Sequence, residues 1–141
     1  MEQLNPIVIF AIIAVIVIAL SILYHRTNIR NLDSNIQKAL NTGFDRDYTI
    51  KGTGYCEMMF DKKKRLIAIV RTNGCRYISY LDIVRWEHRW TVNRSSSRNV
   101  PETVSHYIDL WMRNPNAPVY SFPVADPHEA MAKLNAIINY N

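Results

Sequence analysis

With 141 residues and a formal net charge of +5, the chain has room for one anchor and one domain and little else. Its two cysteines, Cys56 and Cys75, make neither a C-x-x-C pair nor a zinc spacing, which excludes a disulfide framework and a structural metal signature. All 17 Lys and Arg lie in residues 25–141 together with 11 of the 12 acids, so this part carries 17 − 11 = +6 and favours anionic neighbours without naming one.

After the short leader MEQLNP, the stretch from Ile7 to Tyr24 runs for 18 residues without a charge. At about 1.5 Å per residue a helix of that length reaches roughly 27 Å, close to the hydrocarbon thickness of a bilayer. Ile7, Phe10, Ile13, Val17, Leu20 and Tyr24 are therefore read as membrane-spanning. Asn5 suits a cap, Pro6 the first helical position, and Tyr24 the interface. A cleaved secretion signal would need a basic leading region, whereas only Glu2 and the terminal amine precede this run, so a retained anchor is expected. His25, Arg26, Arg30 and Lys38 follow the span and no Lys or Arg comes before it. By the positive-inside rule the tail lies outside and the domain in the cytoplasm, at the inner (plasma) membrane. The two cysteines are then expected as free thiols, because the cytosol is reducing.

Residues 26–46 form a second region, between the anchor (1–25) and the domain (47–141). Ile29, Leu32, Ile36 and Leu40 recur at helical spacing, and Gly43 is a natural stop. This amphipathic segment has three open placements: on the bilayer, as a stalk continuing the span, or packed on the domain.

From Asp47 to Val124 the apolar period becomes two. Cys56, Met58 and Phe60 alternate with Glu57 and Asp61; Leu66, Ala68 and Val70 follow the basic turn Lys62–Arg65; Asn73-Gly74 suits a tight hairpin. Val84, Trp86, His88, Trp90 and Val92 form one inward row, and Val104, His106, Ile108, Leu110 and Met112 another. A short strand around Val119–Val124 closes the series, and NRSSSRN at Asn93–Asn99 is read as a mobile loop. About seven short antiparallel strands suggest a split barrel or a sandwich. Asp126-Pro127-His128-Glu129 then signals a helix start, and Ala130, Met131, Leu134, Ile137 and Ile138 mark its apolar stripe. The fold class is α+β.

The stretches FDKKKRLIAIV, YISYLDIVRWE and AMAKLNAIIN resemble those of bacterial pleckstrin-homology-like (PH-like) domains of unknown function, some tied to a single N-terminal span. In that family a strand ends in Asp, a basic turn follows, an aromatic-rich strand leads into a D-I-x-x-W-E segment (here Asp82, Ile83, Trp86, Glu87), and a helix plugs one end of the barrel. The resemblance covers roughly Asp47 to Tyr140. It implies a PH-like split β-barrel with a C-terminal capping helix, and a binding scaffold rather than an enzyme. The chain lacks the spaced Lys…Arg-x-Arg of the first hairpin with which eukaryotic relatives hold inositol phospholipids.

Two surfaces emerge as candidates. Arg26, Lys62, Lys63, Lys64 and Arg65 are candidate lipid contacts, the alternative being a solvated turn that discourages edge pairing. Tyr107, Asp109, Trp111 and Arg113 alternate with buried positions and have the composition of a protein contact, unless a helix covers them. His88 and His106 become cross-strand neighbours if paired residues sum to about 194, but two imidazoles without a third ligand make no metal site. Strand alternation sends Trp86 and Trp90 inward and Arg85 and Arg89 outward, so no base-stacking platform for nucleic acid is expected. Gly52-Thr53-Gly54 is too short for a phosphate loop, and no acid–base pair or nucleophile dyad converges. The expected function is a membrane-anchored adaptor or regulator that binds another protein, with no cofactor. The alternatives are a module responsive to anionic lipid, or a small phage- or plasmid-type membrane exclusion factor.

Overall fold

The computed structural model describes residues 5–94 and 102–139. The leading tail and most of the Asn93–Asn99 patch lie outside the described residues. Helix α1 (Pro6–Asn41) starts as its sequence demands, with the Asn5 side chain accepting from the Ile7 N–H at 3.1 Å and Pro6 in the first turn. It continues for 36 residues without a break, so the apolar run and the amphipathic segment are one helix. It ends at Gly43, whose φ of +80° suits glycine and whose N–H returns to the Leu40 carbonyl.

Seven antiparallel strands follow in two sheets. The first has the order β1 (Tyr48–Lys51), β2 (Cys56–Asp61), β3 (Leu66–Arg71) and β4 (Gly74–Ser79); the second β5 (Ile83–Asn93), β6 (Thr103–Met112) and β7 (Val119–Val124). A 3-10 turn at Tyr80–Asp82 leads from one sheet to the other, and α2 (Pro127–Ile138) closes the chain. The caps of α2 are those its sequence announces: Asp126 accepts from the Glu129 N–H at 3.0 Å, with Pro127 at the first position. The fold is α+β, with an isolated bridge between Gly52 and Val124 joining the sheets at one edge; no closed barrel forms among the described residues.

The layers are α1, the first sheet, a core that includes α2, and the second sheet. Met58, Phe60, Ile67 and Ile69 of the first sheet face Ile108, Leu110 and Phe122 of the second, and Ala130, Leu134 and Ile137 of α2 fill the space between them. On its other face the first sheet is covered by α1 and the chain leaving it: Ile36 and Ala39 of the helix, with Phe44 just beyond it, pack on Met59, Ala68 and Val70. Every residue of β2 is consequently buried, including Glu57 and Asp61, which alternation alone would place in water. Of the three placements open to residues 26–46, the helix takes two at once: it continues the apolar run and it packs on the domain.

The inward rows need correction at one end. Trp86 faces α2, donating its indole N–H to Asn135 at 3.0 Å, but Val84 and Trp90 are each 61 % exposed, and Val92 and Val104 are also open to solvent. Val84 sits at a register shift between Ile83 and Arg85 that turns it outward. Val92 and Val104 lie where β5 and β6 outrun β7, and Trp90 stands at its very end, opposite His106, which makes the last pair with Val124.

Gly52 occupies the seam between the sheets. A Cβ there would fall 2.4 Å from the Cys56 sulfur and 2.7 Å from both the Phe122 ring and the Pro123 carbonyl. Gly52→Ala is therefore expected to destabilise the full chain by about 1–3 kcal/mol through overpacking. The urea midpoint of the detergent-solubilised protein, read by tryptophan fluorescence, checks this; an unchanged midpoint contradicts it.

Candidate interaction surface

The outer face of the second sheet carries the residues expected to meet a protein. In the observed register Arg85 stands opposite Trp111, Glu87 opposite Asp109 and Arg89 opposite Tyr107. Long cationic side chains on β5 thereby reach the aromatic rings of β6. The Arg85 guanidinium lies 4.3 Å from the Trp111 ring centroid, and that of Arg89 lies 4.6 Å from Tyr107. Trp111 donates its indole N–H to Glu87 at 2.8 Å. Arg89 grips Asp109 with two nitrogens, at 2.7 and 3.3 Å, and reaches Ser121 at 3.3 Å.

This arrangement corrects the expected roles. Asp109 is only 5 % exposed and is spent on Arg89, so it positions the ladder instead of meeting a partner. Tyr107 and Trp111 are half-buried, yet neither α1 nor α2 roofs them; the arginines of β5 do. Arg113, at the end of the row, is exposed and its N–H binds the Asp82 carbonyl at 2.8 Å. Alternation places Arg85 and Arg89 outward, but nothing in the sequence joins them to Tyr107 and Trp111, because that depends on the β5–β6 register.

The candidate lipid contacts divide. Arg26 is exposed just beyond the apolar run. Lys62–Arg65 instead form the β2–β3 turn, at the far end of α1, about 22 Å along the helix from Arg26 at 1.5 Å per residue. There Lys64 donates to the Gly43 carbonyl, at the negative end of the helix. Lys63 pairs with Asp45 at 3.2 Å, and Lys62 stacks over the Tyr48 ring at 4.6 Å. Arg65 adopts a left-handed φ of 53°, and its carbonyl accepts from the Tyr80 N–H. The turn is engaged with the chain leaving α1, not brought together with Arg26.

Beneath that turn lies Asp61, fully buried. Burial pushes its carboxyl up, but N–H groups of Lys64 (2.9 Å), Asp45 (3.0 Å) and Lys63, with the Lys64 charge, hold it below the usual carboxylate range. The nearby Tyr80 hydroxyl is buried with no hydrogen-bond partner among the described residues. Burial, then the charges of Asp61 and Asp47, push it up to about 12.

His88 and His106 do meet, Nε2 to Nδ1 at 3.0 Å, although the pair sum is 196 and His88 stands opposite Ile108. A slip of two residues keeps the face, so the contact survives diagonally. Burial, then the neighbouring His106 and His128, lower the His88 pKa. No cluster of three metal-ligating groups occurs among the described residues. Cys56 and Cys75 are free; burial pushes both thiols up, more than Arg71 beside Cys56 or the Tyr77 hydrogen bond to Cys75 draws them down.

Comparison with protein-family models, with curated proteins and with solved structures finds no match for the chain.

Asp109 behaves as Asp61 does: burial raises its carboxyl, and the hydrogen bonds from Arg89 and Ser121, with the Arg89 charge, bring it below its ordinary value. A carboxylate depressed in the folded state binds protons more readily when unfolded. Its contribution is thus complete above the unfolded pKa of about 3.9 and is lost as pH falls through the lower folded pKa. The Asp61→Asn, Asp109→Asn double variant is expected to be less stable at pH 7 and to lose less stability than the parent between pH 5 and pH 2. Urea unfolding across that range checks it; parallel acid limbs would contradict it.

Proposed function

We propose that the chain is a single-pass membrane protein that presents a cytoplasmic, PH-like domain for binding another protein, as an adaptor or regulator. One observation carries the reading. An 18-residue window of mean hydropathy 3.2, none of it buried, belongs to the same unbroken helix whose C-terminal part is packed into the domain. An apolar surface of that extent is stable in lipid and not in water. The PH-like reading is supported by seven antiparallel strands followed by one C-terminal amphipathic helix. Protein binding is supported by the outer face of the second sheet, where Arg85 and Arg89 lie over Trp111 and Tyr107; arginine and large aromatics dominate the energetics of protein interfaces.

Topology is tested with the native thiols. Cys75 is exposed and Cys56 buried, so a membrane-impermeant maleimide is expected to leave intact cells unlabelled and to label Cys75 after the inner membrane is permeabilised. Labelling of intact cells would reverse the orientation. Partner binding is tested in the full membrane-embedded chain with a photo-crosslinking residue at Thr91, beside the ladder on the outer face. A discrete adduct is expected, and it should fall at least tenfold in Arg85→Ala or Trp111→Ala, as losing a central contact of about 1.4 kcal/mol or more requires. An adduct indifferent to both substitutions would remove this face from consideration.

A further inference from the structure

We propose that the Gly52–Tyr55 loop is a second membrane contact, seated in the lipid headgroup layer beside the point where α1 leaves the bilayer. The proposal rests on the reading of α1 as a membrane span. His25 directly follows Tyr24, the last residue of the uncharged run, so whatever His25 holds lies at the level of the bilayer surface. What it holds is Tyr55: the Tyr55 hydroxyl is 2.5 Å from His25 Nδ1, and the two rings are tilted together with centroids 5.5 Å apart.

The loop is shaped for this reach. Gly54 has φ +75° and Tyr55 φ +58°, two successive left-handed residues that swing the chain towards α1. That conformation is ordinary for glycine and unfavourable for tyrosine, so contacts made by Tyr55 must offset its cost. The base of the loop is fixed, with Gly52 N–H on the Cys56 carbonyl at 2.9 Å and Thr53 N–H on the Pro123 carbonyl at 3.2 Å. Its tip stands clear of the protein, since a Cβ on Gly54 would meet nothing within 4 Å. A tyrosine ring with a polar end belongs at the headgroup level. Arg26 lies next to His25, and Lys51 lies at the strand end beside the loop, both exposed. Together they favour an anionic lipid surface. The Lys62–Arg65 turn sits at the other end of the domain and takes no part.

The test uses the full chain in liposomes of phosphatidylcholine and phosphatidylglycerol, with Cys75→Ser and the buried Cys56 left in place. A nitroxide is attached in turn at Val17→Cys, Thr53→Cys and Lys63→Cys, and its exposure to a water-soluble relaxant and to oxygen is measured. The Val17 label is expected deep in the bilayer, the Lys63 label in water, and the Thr53 label several-fold less accessible to the water-soluble relaxant than the Lys63 label. In a Tyr55→Phe background, mobility and water exposure are expected to rise at Thr53 and not at Lys63. If Val17 is deep but Thr53 is as wet as Lys63, the loop contact is overturned while the anchor stands. If Val17 itself is in water, both fall. If Tyr55→Phe changes nothing at Thr53, the His25–Tyr55 bond is not what seats the loop, and the proposal is overturned in that form.

Discussion

The packing of α1 on the outer face of the first sheet governs the rest of the structure. Ile36, Phe44, Met59 and Val70 are nearly or wholly removed from water there. At about 1.5–3 kcal/mol for each large apolar side chain, these four alone contribute a sum comparable with the whole stability of a small domain, about 5–15 kcal/mol. Detaching the helix would therefore unfold the domain before it freed a linker. The divide between anchor, connecting segment and domain is one of composition more than of packing, because the middle segment supplies one wall of the core.

The same contact explains the buried acids of β2. Once α1 covers that face, Glu57 and Asp61 have to find partners, and the chain leaving α1 provides them: Arg46 for Glu57, the Asp45 N–H for Asp61. The carboxylates fix the exit of the helix, and the lysines of the β2–β3 turn close around it. A cluster of four cations that looks available for lipid is in large part committed to the end of a helix and to nearby acids.

What the sequence discloses follows the range of the interactions involved. The start of α1, its stop before Gly43 and the cap of α2 each depend on a few adjacent residues and are readable, as is the presence of the β3–β4 hairpin, although its two loop residues are Thr72 and Asn73 and Gly74 is already paired with Arg71. The two cores are half readable: alternation identifies Cys56, Met58 and Phe60 of the inter-sheet core and Leu66, Ala68 and Val70 of the layer under α1, but not that Met59, Ile67 and Ile69 on the opposite faces of those strands are buried as well. Nothing local announces that a helix 20 residues upstream will cover one face and the second sheet the other. Val92 and Val104 fail for a related reason. Their alternation is regular, but burial needs something opposite, and β7 ends too early to provide it. The contact of His88 with His106 survives a register error because a slip of two leaves each side chain on its own face. In the candidate site the ring-bearing residues were legible, whereas the burial of Asp109 depends on which β5 side chain stands diagonally across from it.

The order of layers also decides which surface is available to a partner. The first sheet is enclosed, by α1 on one side and the core on the other, so it offers little beyond its edges and turns. The second sheet has the core on one side and solvent on the other, and that solvent face is the side of the molecule opposite α1. Arg85, Arg89 and Trp111 lie on that open face, away from α1. The two sheets thus have different surroundings, one enclosed on both faces and one open on one face, and they are joined by the seam at Gly52 and by the core between them.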